Sequence, residues 1–278
     1  MTTRLLRLEV LLMTSTVTLN CVAADRSLDV QMQLLGNFPV VTAKIQGNDI
    51  PLIFDLGDDL GLALKQGAID RLKTLPSSET YRAYDAAGNV IQSAMFRVPQ
   101  LQIGGAVFTD VIGRPDLHDP SYDATEVGQQ GYIGTAPFKT YKVVLDYRHR
   151  TMTLIPPGST PDQLAKCKGT VVPFLPDWKG GRATKVDTDF GTLTAIWDTG
   201  APVSILRKAQ AHKVAEDASF DAVSTRHLVL GGADFGPLKL TVADYTEPAG
   251  TDMYIGYNFF AKHVVCIDFP GKQFLIQR

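Results

Sequence analysis

The sequence predicts an all-β protein built from two similar lobes with a cleft between them and few short helices. Three observations predict this: an internal repeat in three ordered blocks, alternating apolar runs separated by glycine-rich turns, and no strand–helix–strand alternation. The last disfavours a parallel, doubly wound sheet.

The repeat organises the chain. Ile53-Phe54-Asp55-Leu56-Gly57 matches Ile196-Trp197-Asp198-Thr199-Gly200. Leu101-Gln102-Ile103-Gly104-Gly105-Ala106-Val107-Phe108 then matches Leu228-Val229-Leu230-Gly231-Gly232-Ala233-Asp234-Phe235. Tyr132-Ile133-Gly134 matches Tyr254-Ile255-Gly256; Phe138 and Phe260 follow four residues later, and Val143 to Tyr147 run against Val265 to Phe269. Three blocks in the same order in both halves mark a duplication.

The individual elements follow from local pattern. Residues 39–46 and 50–55 read as a hairpin around Gly47-Asn48-Asp49. Lys65 to Leu72 and Arg207 to Val214 each read as one short helix. The two Gly-Gly pairs sit between apolar runs, where a tight hairpin needs positive φ at low steric cost. Pro156-Pro157-Gly158-Ser159-Thr160-Pro161 is a breaker-rich linker between the halves. The expected divisions are an export signal over 1–24, an N-terminal lobe over 25–157 and a C-terminal lobe over 158–278.

Composition is that of an ordinary globular chain. The 278 residues are 45% hydrophobic and 20% charged, enough for two cores of roughly 120 residues each. The formal net charge of −2 and the lack of a basic run exclude a nucleic-acid partner from the expectation. Arg4 and Arg7, the apolar run Val10 to Leu19 and the small-residue exit Val22-Ala23-Ala24 form an export signal. That run is too short to span a membrane, and Asn20 before Cys21 departs from a lipid-attachment pattern. The protein is therefore expected outside the cytoplasm, periplasmic or secreted, as a monomer without a membrane span. Two cysteines then remain, Cys167 and Cys266. They can pair, but sequence does not give their distance. Cys266 lies in the apolar run Val264 to Ile267, and the favoured reading is a buried, inert thiol. The five histidines form no His-Glu-x-x-His helix, and neither a Gly-x-Ser-x-Gly elbow nor a phosphate-binding loop occurs. No metal and no cofactor are expected.

The repeat carries two aspartates, and their chemistry explains the need for two halves. Two carboxyls within hydrogen-bond distance cannot both ionise easily, so they share a proton and titrate as a unit. The ionised member can take a proton from water while the protonated member polarises a carbonyl. The plain alternative is an Asp that only hydrogen-bonds its own turn.

Trp197-Asp198-Thr199-Gly200-Ala201, between an alternating strand and the run Val203 to Leu206, resembles the aspartic proteases, in particular the retropepsin-like branch. With Tyr132-Ile133-Gly134 and Tyr254-Ile255-Gly256 as the segments behind the loops, the resemblance covers nearly all of 38–278. It implies acid-protease-type β-barrel lobes in a duplicated, pepsin-like arrangement. It implies catalytic roles for Asp198 and Asp55, with Thr199, Gly200, Ala201, Leu56, Gly57 and Asp58 as supporting loop residues. The first loop departs from the family pattern: Leu56 lacks the hydroxyl that helps lock the two loops, and Asp58 can add charge beside Asp55. Thr199 keeps its hydroxyl and can accept from the Leu56 backbone. Ala201, with no hydroxyl to stabilise a nearby carboxylate, and the charge of Asp58 are both expected to raise the titration points of the pair. Residues 80–90 read as a flap, with Tyr81, Tyr84 and Gly88 as candidates; the tyrosines can face the cleft or pack on the barrel. The expected function is an aspartic-type endopeptidase acting on peptide or protein substrates. The alternative is a catalytically inactive relative that binds peptides in the same cleft.

Overall fold

The computed structural model describes residues 27–84, 90–117, 128–176, 178, 181–212, 221–245 and 250–278. The export-signal segment lies outside them. Among the described residues no helix is long and apolar enough to cross a membrane.

The fold is all-β and two-lobed, and the two halves repeat one strand plan. In the first half, Phe38–Ile45 and Asn48–Phe54 form the expected hairpin, with Ile45 opposite Asn48. Asn48–Phe54 runs parallel to Gly131–Ile133, pairing Phe54 with Ile133. Leu62–Leu64 lies antiparallel to Gly131–Ile133 and parallel to Ala106–Pro115. In the second half, Arg182–Thr188 and Gly191–Trp197 form the hairpin, and Gly191–Trp197 runs parallel to Met253–Ile255, pairing Trp197 with Ile255. Ile205–Arg207 completes the plan against Met253–Ile255 and Lys239–Ala243. Each half therefore ends its central hairpin at the same place, and each end carries an aspartate.

Local chemistry accounts for the turns. Ile103 faces Ala106 across Gly104-Gly105, and Leu230 faces Ala233 across Gly231-Gly232. Gly231 and Gly232 both have positive φ, 56° and 79°, a backbone that side-chain-bearing residues rarely adopt. The helices are short, as expected: Gln66–Arg71 in the first half and Lys208–Ala211 in the second.

Under both lobes lies a platform of six strands in the order Thr170–Pro173, Gln273–Gln277, Val264–Asp268, Lys142–Asp146, Thr151–Ile155, Leu28–Leu35. The strands nearest the C-terminus pair directly with the first half, Cys266 opposite Val144. A continuous apolar core fills the lobes above, with Trp197, Phe54, Phe138, Phe259 and Phe260 fully enclosed. Trp197 stacks on Phe274 at 4.2 Å between ring centres, which ties the second hairpin to the platform.

One expectation is overturned. Cys266 is buried, but it is not a free thiol: Cys167 and Cys266 form a disulfide with Cα atoms 5.2 Å apart. Cys167, just beyond the short helix Pro161–Leu164, is folded back onto the platform beside Val264 and Leu275. A reading of the apolar run alone saw the burial of Cys266 but not this return of the linker.

Candidate functional site

Asp55 and Asp198 sit on the turns that follow Asn48–Phe54 and Gly191–Trp197, and the pseudo-two-fold brings them together. Their carboxyls face each other: a Cβ at Gly57 would lie 3.1 Å from Asp198 Cγ and 3.2 Å from Asp55 Oδ1. Each turn is built the same way. The Gly57 N–H donates to Asp55 Oδ1 at 2.8 Å, and the Gly200 N–H donates to Asp198 Oδ1 at 2.7 Å. The Asp55 N–H donates to the Ile133 carbonyl at 2.9 Å, and the Asp198 N–H to the Ile255 carbonyl at 3.0 Å. The paired Tyr-Ile-Gly segments thus support the paired loops.

Glycine is required at two symmetric places. A Cβ at Gly57 would lie 3.1 Å from the Asp198 carboxyl, and a Cβ at Gly200 would lie 3.1 Å from that of Asp55. Each glycine lets its loop approach the other half's carboxyl, a contact tighter than side-chain-bearing residues normally make.

The lock between the loops survives in one direction. Thr199 Oγ accepts from the Leu56 N–H at 2.9 Å and donates to the Phe54 carbonyl at 2.6 Å. Leu56 returns no such bond; its side chain is fully enclosed in the core. Thr199→Val keeps the shape but leaves a buried N–H and a buried carbonyl without this partner, each worth about 1–3 kcal/mol. We expect a loss of at least about 2 kcal/mol in denaturant unfolding. An unchanged midpoint would show that the hydroxyl does not hold the loops.

Asp55 and Asp198 are both half-buried residues. Burial, then the charge of Asp198, then that of Asp58 push the Asp55 carboxyl well above the ordinary carboxylate range, against the bond from Gly57. The charge of Asp58 thus acts in the direction expected, but as a lesser cause than burial and Asp198. Tyr147 lies close enough to feel both: burial first, then the charge of Asp198, Tyr257 and Asp55, raise its phenol well above the usual tyrosine range. In the repeat Tyr147 stands where the second half has Phe269.

Asp58 does not point freely into solvent. Its Oδ2 pairs with Arg114 Nη2 at 3.3 Å, and its Oδ1 accepts from the Leu60 N–H at 2.7 Å. The next residue, Asp59, reaches across to the other lobe: Arg182 Nη1 lies 2.7 Å from Asp59 Oδ1, and the Gly181 N–H donates to Asp59 Oδ2 at 3.3 Å. Asn37 Nδ2 also joins the halves, donating to the Pro202 carbonyl at 3.3 Å. Arg114, Asp59 and Arg182 went unnoticed in the sequence. For Arg114 a signal existed, a lone cation in the run Val111-Ile112-Gly113-Arg114-Pro115. Arg182 carried none.

The candidate flap is a hairpin. Leu75–Tyr84 pairs with Val90–Ile103, Tyr81 opposite Ser93 and Tyr84 opposite Val90. Its turn, with Gly88, lies outside the described residues, as does the side chain of Tyr84. The Tyr81 ring lies 4.6 Å from the Arg114 guanidinium, so it packs on that cation.

No protein-family model matches the chain, and no curated protein matches it. A solved structure does: an aspartic proteinase from Irpex lacteus, 12% identical, with a TM-score of 0.62 over 90% of this chain and 97% of that one. At that identity the likeness is one of fold: the two-lobed, all-β architecture of this chain is that of a pepsin-like aspartic proteinase.

Proposed function

We propose that the chain is an exported aspartic-type endopeptidase that hydrolyses peptide bonds with a water activated between Asp55 and Asp198. The observation that carries this is the closely facing carboxyl pair at the meeting point of two duplicated loops, with Asp55 held well above its ordinary range. Such a pair keeps one proton between two oxygens. The ionised carboxyl takes a proton from water as the water oxygen attacks the peptide carbonyl carbon. The protonated carboxyl gives its proton to the carbonyl oxygen. The resulting diol returns one hydroxyl proton to the ionised carboxyl as it collapses, the C–N bond breaks, and the leaving nitrogen takes the proton held by the other carboxyl. The shared fold with the Irpex lacteus proteinase supports the reading, and the Leu75–Tyr84 and Val90–Ile103 hairpin is the candidate for a flap.

Export is part of the proposal. The basic start, apolar run and small-residue exit of residues 1–24 support it, and so does a structural disulfide, which persists mainly in oxidising compartments. Sequencing the N-terminus of the protein from cells tests it: an intact Met1 on the mature form would overturn export.

The second reading, a peptide-binding module without catalysis, draws on Leu56, which leaves the loop lock one-sided. A pH–rate profile on a mixed peptide library separates the two. The protease reading expects cleavage in the weakly acidic to neutral range, because every named influence other than the Gly57 bond raises Asp55. Peptide binding without cleavage at any pH would favour the second reading. Converting the first loop to the family pattern with Asp58→Ala is a poor control, since it strands the buried Arg114 cation.

A further inference from the structure

We propose that Arg114 is a positioning residue that holds Asp58 and offsets part of its charge beside the reacting pair and, with the same guanidinium, seats the flap residue Tyr81. The proposal rests on the reading of Asp55 and Asp198 as that pair.

Arg114 is 7% exposed, an unusual place for a cation without a purpose. It lies on the strand Ala106–Pro115 and touches two other elements. Its Nη2 meets Asp58 on the first loop at 3.3 Å, and its ring-facing plane lies 4.6 Å from Tyr81 on the flap strand. Its Nη1 donates to the Pro115 carbonyl at 3.1 Å. The Asp58 side chain is 15% exposed, so neither charge is well hydrated and each depends on the other.

The repeat supplies an independent observation. Asp58 corresponds to Ala201, three residues after the paired aspartate. Arg114 pairs with Ala63, which in turn pairs with Tyr132; in the second half Thr241 pairs with Ile205, which pairs with Tyr254. Because Tyr132 and Tyr254 are equivalent, Arg114 corresponds to Thr241. The acid and the cation therefore occur together in the first half, and the second half has neutral residues at both places. The half with the acid is also the half with the flap. A single guanidinium thus ties the charge beside Asp55 to the strand that carries the candidate flap.

The groups facing Asp55 are Asp198, Asp58 and the Tyr147 phenol, with Arg114 behind Asp58 and the Asp59–Arg182 pair next along the loop. Removing Arg114 leaves Asp58 as an uncompensated negative neighbour, which favours the protonated pair. Removing Asp58 as well takes that neighbour away.

The experiment follows aspartate carboxyl carbons by NMR through a pH titration of the full chain, as wild type, R114M, D58N, D58N/R114M and R114K. A pH–rate profile and KM on a peptide substrate are measured in parallel. R114M is expected to raise the upper titration point of the pair by roughly half a pH unit or more, and D58N/R114M to return it to the wild-type value or below. R114K keeps the charge but not the plane that stacks on Tyr81. It is expected to leave the titration in place and raise KM severalfold, with little change in kcat.

R114M titrating like wild type, or a shift that persists in D58N/R114M, would overturn the charge role. An R114K with the wild-type KM would overturn the flap role. If R114M does not fold, D58N decides, because unlike alanine its amide oxygen still accepts from the Arg114 guanidinium: its pair must titrate lower than wild type, and an unchanged titration overturns the proposal. The carboxyl titration reads the charge role whether or not any peptide is cut. Failure of the protease reading would show separately, as absent cleavage in wild type with the titration shifts intact.

Discussion

Asp198→Asn is expected to abolish peptide hydrolysis, by a factor on the order of 10³ or more in kcat, while the protein stays folded. The amide matches the carboxyl in size and can still accept from the Gly200 N–H, so the loop is preserved. It cannot share the proton with Asp55. Asp55→Asn should act equally, because the loops are symmetric down to their glycine N–H bonds. The same variants carry a stability signature of opposite sign. The folded Asp55 carboxyl titrates above its unfolded value, so the native state binds the extra proton. Stability is then fullest below the unfolded carboxylate range and falls as pH rises through the folded value. Asp198→Asn removes the like charge that contributes to this. It should melt at a higher temperature than wild type near neutral pH and at the same temperature in strong acid. Cleavage that survives Asp198→Asn would place the chemistry elsewhere. A variant less stable than wild type at neutral pH would deny that the pair is under electrostatic tension.

The second large effect belongs to the disulfide. Cys167 and Cys266 are 99 positions apart in sequence, and a closed loop of that size restricts the unfolded chain by about 4.7 kcal/mol in the chain-entropy account. The double variant Cys167→Ala/Cys266→Ala should lose about 2–5 kcal/mol, a fall on the order of 10 °C in Tm. Cys266 has no exposed surface, so the truncation also removes packing against Val144 and Ile155. Thermal melts of the variant, and of wild type with and without reductant, measure it. A melting point unchanged in the variant would mean that the linker is held by its other contacts alone.

Much of this site was legible because its parts are local or repeated. Asp55 and Asp198 each close a strand whose next residues include the needed glycine, and the repeat pointed to both. The bond from Leu56 to Thr199 followed from asking what the missing hydroxyl left behind. What the sequence hid were pairings across distance. Asp58 and Arg114 are 56 positions apart and Asp59 and Arg182 are 123 apart, and no periodicity links a charge on a loop to a cation on a remote strand. The disulfide was hidden for the same reason. The apolar run around Cys266 predicted burial correctly, but burial says nothing of what lies opposite. Gly88 and the side chain of Tyr84 belong to a part of the flap that the described residues do not reach.

The six-stranded platform has a consequence for how the molecule is made. Each half supplies three adjacent strands, and the two sets meet where Lys142–Asp146 pairs with Val264–Asp268; among the described residues Thr170–Pro173 is joined to the rest through Gln273–Gln277. During synthesis the first half emerges with Lys142–Asp146 as an open edge, because the strand that pairs with it, Val264–Asp268, is still to come. Pairing over such sequence distances is slow, since chain entropy must be overcome before any contact forms. A chain truncated before Val264 should therefore show no cooperative unfolding transition, which circular dichroism in denaturant can check; a sharp transition would mean that the first lobe is an independent folding unit. On this account the lobes mature together in one late step, and the cleft with its carboxyl pair comes into being only when the last strands arrive.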